Sequence, residues 1–155
     1  MSATAEATGT SLQSTSPLTL FGIDYGTRKI GVAVGQNVTN TAMGIAVIPV
    51  RNGEPDWIEF DKLVQRWKPG AFVVGMPFNM DGSESEMTVQ ASKLARTLTE
   101  RYKRPCHPVD ERLSTRAARE ITRNNAEMLG KRYDDKTKVD AMAAQLLLES
   151  WFAEH

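Results

Sequence analysis

Cysteine is nearly missing from this chain. Cys106 is the single one in 155 residues, so no intrachain disulfide can form and a disulfide-stapled scaffold is excluded. Between Pro105 and His107 it reads as strand filler, not as a nucleophile. No apolar run approaches the roughly 20 residues that a bilayer-spanning helix requires, so the sequence predicts a cytoplasmic protein with no membrane partner. An excess of charge of one sign is lacking too. Lys plus Arg and Asp plus Glu both number 19, so bulk charge predicts neither nucleic acid nor membrane as a partner, and any such case must rest on local clustering. The first seventeen residues, MSATAEATGTSLQSTSP, hold no Arg or Lys and no apolar stretch. They resemble neither a secretory signal nor a transit peptide, and read as a flexible tail (1–17) before one domain (18–155).

What is present begins at Leu18. LTLFGID (18–24), IGVAVG (30–35) and TAMGIAVIPV (41–50) are β-branched, apolar and joined by short polar links, the pattern of an antiparallel meander. Trp57, Ile58, Phe60, Leu63, Val64 and Trp67 then recur at helical spacing up to the Pro69-Gly70 breaker, and AFVVG supplies a fourth strand. On that spacing Trp57 and Trp67 are packing residues and not base-stacking platforms. Ser83-x-x-Glu86 reads as a capping box for a second helix reaching Tyr102, and Pro105–Val109 as a fifth strand. Helices over about 114–129 and 136–152 complete the order βββ-α-β-α-β-α-α. Such an order implies an α/β fold with a five-stranded mixed sheet, three antiparallel strands followed by two parallel ones, and helices on both faces.

Three acids sit oddly in this scheme. Asp24 closes the first strand, where an ionised carboxylate is costly unless compensated. Asp140 opens the apolar stripe of the last helix, followed at helical spacing by Ala143, Ala144, Leu147, Leu148 and Trp151. Glu111 follows the fifth strand at its carboxyl end, where open α/β sheets bind ligands. Each acid has an ordinary reading: Asp24 as a turn cap, Glu111 as an exposed charge beside Arg112, Asp140 as an early helix residue favoured by the helix dipole. Brought together, they repel unless protonated or bridged by a cation, and Mg²⁺ or Mn²⁺ takes carboxylate oxygens readily.

The segments GIDYGTRKIGVAVG, VVGMPFNMDGSESE, VDERLSTRAARE and KVDAMAAQLLLE resemble the successive motifs of the YqgF family, also called Holliday-junction resolvase-like proteins or pre-16S rRNA nucleases. The resemblance runs from about Leu18 to Glu149. It implies a ribonuclease H-like fold, a metal-dependent nuclease of structured RNA or branched DNA, and Asp24, Glu111 and Asp140 as acidic metal ligands. Within the family reading, pre-16S rRNA in a ribosomal particle is the favoured substrate and a DNA junction the alternative. Two-metal hydrolysis holds cations about 3.5–4 Å apart on such carboxylates, with Asp24 the best candidate for the bridging acid and Glu111 and Asp140 for flanking ligands. Related resolvases carry an acid at the end of the fourth strand, where this chain has Gly75-Met76-Pro77, so either Glu111 replaces it or Asp81 reaches in. Two rivals stand beside the nuclease: an actin-like ATPase, on the strength of G-I-D-x-G-T, and a noncatalytic nucleic-acid-binding factor. The ATPase needs a second D-x-G loop that the chain lacks.

A nuclease also needs cations facing phosphate. From Lys93 to Lys138 there are thirteen bases and seven acids, a surplus of six inside a neutral total. Arg112, Arg116, Arg119 and Arg123 fall on one helical stripe beginning beside Glu111, a solvated face or a phosphate track. Arg28 and Lys29 follow Asp24. Lys131 and Arg132 lie in the link 125–137, read as a mobile loop over substrate. Asn79 and Asp81 either position substrate or build the turn before the second helix. For oligomeric state the expectation is a monomer or weak homodimer.

Overall fold

The computed structural model describes residues 16–111 and 136–155, the side chains of 136–140 excepted. Strands β1 (Thr19–Tyr25), β2 (Lys29–Gln36) and β3 (Thr41–Arg51) form the antiparallel meander that the sequence predicts. Helix α1 (Trp57–Trp67) leads to β5 (Ala71–Met76), and α2 (Glu86–Tyr102) to β6 (Cys106–Asp110). β5 lies parallel to β1, and β6 parallel to β5. Helix α3 (Lys136–Glu154) ends the chain. The helix expected over 114–129 and the tail 1–15 lie outside the described residues.

A sixth strand adds to the five expected. β4 (Glu54–Pro55) pairs with Val50 and Arg51 through a hairpin whose central residues, Asn52 and Gly53, have φ of 54° and 78°. Asn-Gly accepts two successive positive φ angles at little cost, so the turn closes even though its second strand is two residues long. The sheet order is β4-β3-β2-β1-β5-β6.

Both faces of the sheet are covered. On one, Phe21, Ile23, Val32, Phe72 and Val74 pack against Phe60 of α1 and Ala91, Leu94 and Leu98 of α2, all buried. Trp57 joins that core, its ring 5.6 Å from that of Phe60, as a packing residue. On the other face, Leu20, Ala33, Ala71 and Val73 meet Ala144, Leu148 and Phe152 of α3. Here helix and sheet touch almost backbone to backbone. A Cβ on Gly22 would stand 2.9 Å from the Ala144 carbonyl oxygen, and one on Gly44 only 2.6 Å from that of Ala141. These contacts require glycine in the strand. The Gly44 N–H also donates to Oε1 of Gln145 at 3.0 Å, fastening α3 to β3.

The second helix starts two residues later than its sequence signature suggests. The cap is Ser85, whose Oγ accepts from the Thr88 N–H at 3.1 Å while Thr88 Oγ1 accepts from the Ser85 N–H at 2.9 Å. Both hydroxyls also reach the Pro77 carbonyl. That shared acceptor draws the cap back onto the end of β5. Ser83 is left to the preceding turn.

Candidate metal and phosphate site

β1, β5 and β6 run parallel, so their carboxyl ends open on one edge of the sheet. Side chains alternate between faces along a strand, and Asp24 stands two residues beyond Gly22, on the side covered by α3. Asp24 is half-buried and pairs in register with Gly31 of β2. Across the sheet the pairing Ile23↔Val74 sets the next residues, Asp24 and Gly75, side by side, about 4.8 Å apart as neighbouring strands are.

Gly75 faces α3 as well, and its empty side is filled from β6. A Cβ there would lie 3.0 Å from Leu147 Cδ2, 3.0 Å from Glu111 Cγ and 3.1 Å from Glu111 Cδ. The Glu111 N–H donates to the Met76 carbonyl at 3.1 Å, which carries the β5–β6 pairing one residue past β6. Glu111 thus folds back from beyond β6 and lays its carboxyl group over Gly75 of β5, the residue next to Asp24 across the β1–β5 pairing. Of the two ways to supply an acid at the end of β5, the geometry favours Glu111. Asp81 is exposed, and its Oδ1 accepts from Ser83 N–H at 2.9 Å and Oγ at 2.6 Å, so it serves its own turn.

Asp140 lies in the helical backbone of α3, one turn before Ala144 and two before Leu147. Those two residues rest against Gly22 and Gly75. The side chain of Asp140 lies outside the described residues. Among the described residues no three His, Cys, Asp or Glu side chains assemble into a complete metal cluster. Asp24 near the end of β1 and Glu111 just beyond β6, on either side of β5, are hard oxygen donors that suit Mg²⁺ or Mn²⁺ in their chemistry.

The groove in front of Asp24 encloses about 340 Å³ and is lined by Gly26, Thr27, Arg28, Lys29, Gly31 and Met87. Arg28 and Lys29, both named from the sequence, therefore share a wall with Asp24. Thr27 and Met87 were not legible as site residues, because only the fold carries the start of α2 against the β1–β2 turn. Asn79 belongs to the turn: its Nδ2 donates to Ser83 Oγ at 2.9 Å, and its carbonyl accepts from the Gly82 N–H at 2.9 Å. Arg112, Arg116, Arg119, Arg123, Lys131 and Arg132 lie outside the described residues. The thiol of Cys106 donates to the Ala95 carbonyl and is pushed up by burial, as expected of a packing cysteine and not of a nucleophile.

Residues 18–154 match the profile of the family RuvX, described as Holliday junction resolvase. A protein of Pseudomonas paraeruginosa named "Putative pre-16S rRNA nuclease" is 49% identical over 136 residues, which cover 88% of this chain and 92% of that one. One of Azotobacter vinelandii with the same name is 48% identical over 138 residues, 89% of this chain and 95% of that one. Among solved structures, Thermus thermophilus RuvC in complex with a Holliday junction substrate superposes with a TM-score of 0.55. It covers 88% of this chain and 96% of its own at 16% identity, a likeness of fold alone.

Proposed function

The chain belongs to the RuvX family of Holliday junction resolvases, and on that premise we propose that it is a divalent-cation-dependent endonuclease whose substrate is the precursor of 16S rRNA. Hydrolysis of phosphodiester bonds follows from the family. The choice of precursor rRNA rests on relatives that carry that substrate in their names and share nearly half of this sequence. The observation that carries the site is the Glu111 carboxyl lying over Gly75 next to Asp24.

In this reading Asp24 and Glu111 present oxygens from the strand ends, and Asp140 brings a third carboxylate from α3. A cation held there supplies water activation and charge neutralisation at the leaving oxygen. No nucleophilic side chain is needed. Arg28 and Lys29 bind the phosphate that enters the groove beside Asp24. The further cations, Arg112, Arg116, Arg119, Arg123, Lys131 and Arg132, contact backbone away from the cut and carry little sequence preference. Asn79, in the turn that follows β5, helps position substrate.

Cleavage assays of the full chain with Mg²⁺ or Mn²⁺ test this. A precursor RNA bearing the 16S leader is expected to be cut, and Asp24→Asn to abolish cutting while its circular dichroism stays that of the wild type. A four-way DNA junction is the second substrate in the same assay, prompted by the family's description. Cutting of the junction with the RNA left intact reverses the choice of substrate. An Asp24→Asn protein with undiminished activity removes Asp24 from the chemistry.

A further inference from the structure

Position 75 is the penultimate residue of a fully buried parallel strand, Ala71–Met76, where a glycine weakens the strand and leaves a gap unless something fills it. Its neighbours of the same face, Ala71 and Val73, carry side chains that pack under α3. Gly75 breaks that series, and Glu111 and Leu147 occupy the space.

We propose that Gly75 is a positioning residue: the missing side chain at the end of β5 is what lets the Glu111 carboxylate cross from beyond β6 and stand next to Asp24. This rests on the metal-site reading above and extends it to a residue with no polar side chain.

A methyl at position 75 would meet Glu111 Cγ and Cδ at 3.0 and 3.1 Å, closer than carbon atoms approach at their optimal separation of about 3.5–4.0 Å. One of the two groups must yield. Leu147 is fully buried and wedged between sheet and helix, whereas Glu111 is half-buried at the edge of the site. The carboxylate therefore gives way. Being attached beyond β6, it swings away from Asp24, and the pair of donors is split.

Mn²⁺ binding by titration calorimetry, with thermal unfolding as a second readout, tests the proposal in the full chain. Gly75→Ala is expected to weaken Mn²⁺ about 10–100-fold, the range seen when a group that orients a metal ligand is lost, and to match the loss in Glu111→Ala. Adding Gly75→Ala to Glu111→Ala is then expected to change Mn²⁺ affinity no further. Additive losses, or unaltered Mn²⁺ affinity in Gly75→Ala, overturn the proposal. Glu111→Asp, shorter by one methylene and placing no new atom in the sheet, guards against a Gly75→Ala protein that does not fold. It is expected to lose Mn²⁺ affinity as Glu111→Ala does, because its carboxylate falls short of β5, and wild-type affinity in it also overturns the proposal.

The unfolding temperature separates the two ideas. The packing argument alone predicts that Gly75→Ala lowers it less in a Glu111→Ala background, where the space is vacant, than in the wild type. Equal drops in both backgrounds sink the positioning role. That coupling, together with Mn²⁺ affinity unchanged by Glu111→Ala and Asp24→Asn alike, means instead that the metal site fails while the contact stands.

Discussion

A carboxylate gains or loses its meaning from what lies within a few ångströms of it, and two acids of this chain show the contrast. Asp24 shares its groove with Arg28 and Lys29 at the open edge of the sheet. Asp61 of α1 is instead clasped by α2: Arg101 donates from Nε at 3.1 Å and from Nη2 at 2.6 Å, and the Tyr102 hydroxyl donates as well. The guanidinium lies 4.7 Å from the Trp57 ring centre, which assigns one base of the positive segment to structure and not to phosphate. The Arg101 hydrogen bonds hold the Asp61 carboxyl below its usual range. A depressed pKa stabilises the folded state above the ordinary carboxylate value near 4, and that contribution disappears as pH falls through the lower, folded value. Both side chains of the pair are nearly two-fifths exposed, at 39% and 38%, so solvent screens them and the effect stays within about 1 kcal/mol. Asp61→Asn is expected to lower the melting temperature at pH 7 by about 1–4 °C. The difference from wild type narrows below pH 4 in calorimetric scans.

Residue identity also explains what could be read beforehand. Asp24, Arg28 and Lys29 sit within six positions of one another, so a local motif holds them together and the sequence suffices. Glu111 announced itself by following a strand, but its reach across Gly75 depends on the register between β5 and β6. No local spacing encodes that register. The glycine itself was visible as the place where an acid is missing, and its packing role was not.

At the scale of elements, periodicity predicted well wherever a segment buries one face. α1 and the three meander strands fall within a residue or two of their expected bounds, because the apolar pattern and the Pro69-Gly70 stop coincide with the observed ends. The start of α2 was misread by two residues: Ser83 and Ser85 both precede acids or hydroxyls at capping distance, and only the tertiary bond to the Pro77 carbonyl chooses between them. Loss of an N-cap costs about 1 kcal/mol. Ser85→Ala is accordingly expected to lower stability by roughly that amount, and Ser83→Ala, in an exposed turn, by less; urea unfolding followed by circular dichroism ranks the two. The contact between α3 and β3 supplies a larger effect. Gly44→Ala would press a methyl onto the Ala141 carbonyl at 2.6 Å, and overpacking of this kind costs about 1–3 kcal/mol, which the same unfolding measurement reads. β4 escaped notice because two residues are too few to show a period.

For the whole molecule, the mixed sheet with helices on both faces followed from element order, and the superposition on a resolvase of 16% identity agrees with it. No helix among the described residues is long and apolar enough to cross a membrane. The proposed site joins residues as far apart along the chain as Asp24 and Glu111 and would exist only in the folded protein, so a cation that fits it is expected to stabilise folding by mass action. At a hundred times its dissociation constant the gain is about 2.7 kcal/mol, or roughly 5–11 °C for a domain of this size. Wild-type protein titrated with Mn²⁺ in a differential scanning calorimeter is expected to melt that much higher, and Asp24→Asn to stay where it was.

Helix α3 limits how such a protein can be changed. Because α3 rests on main-chain atoms of β1 and β3 at Gly22 and Gly44, those two positions admit no side chain, and libraries that vary the residues beneath the helix will find nothing to exchange at either. Laboratory selection for altered substrate range will collect its surviving substitutions in the turns that rim the open edge, leaving the ledge under the helix as it is.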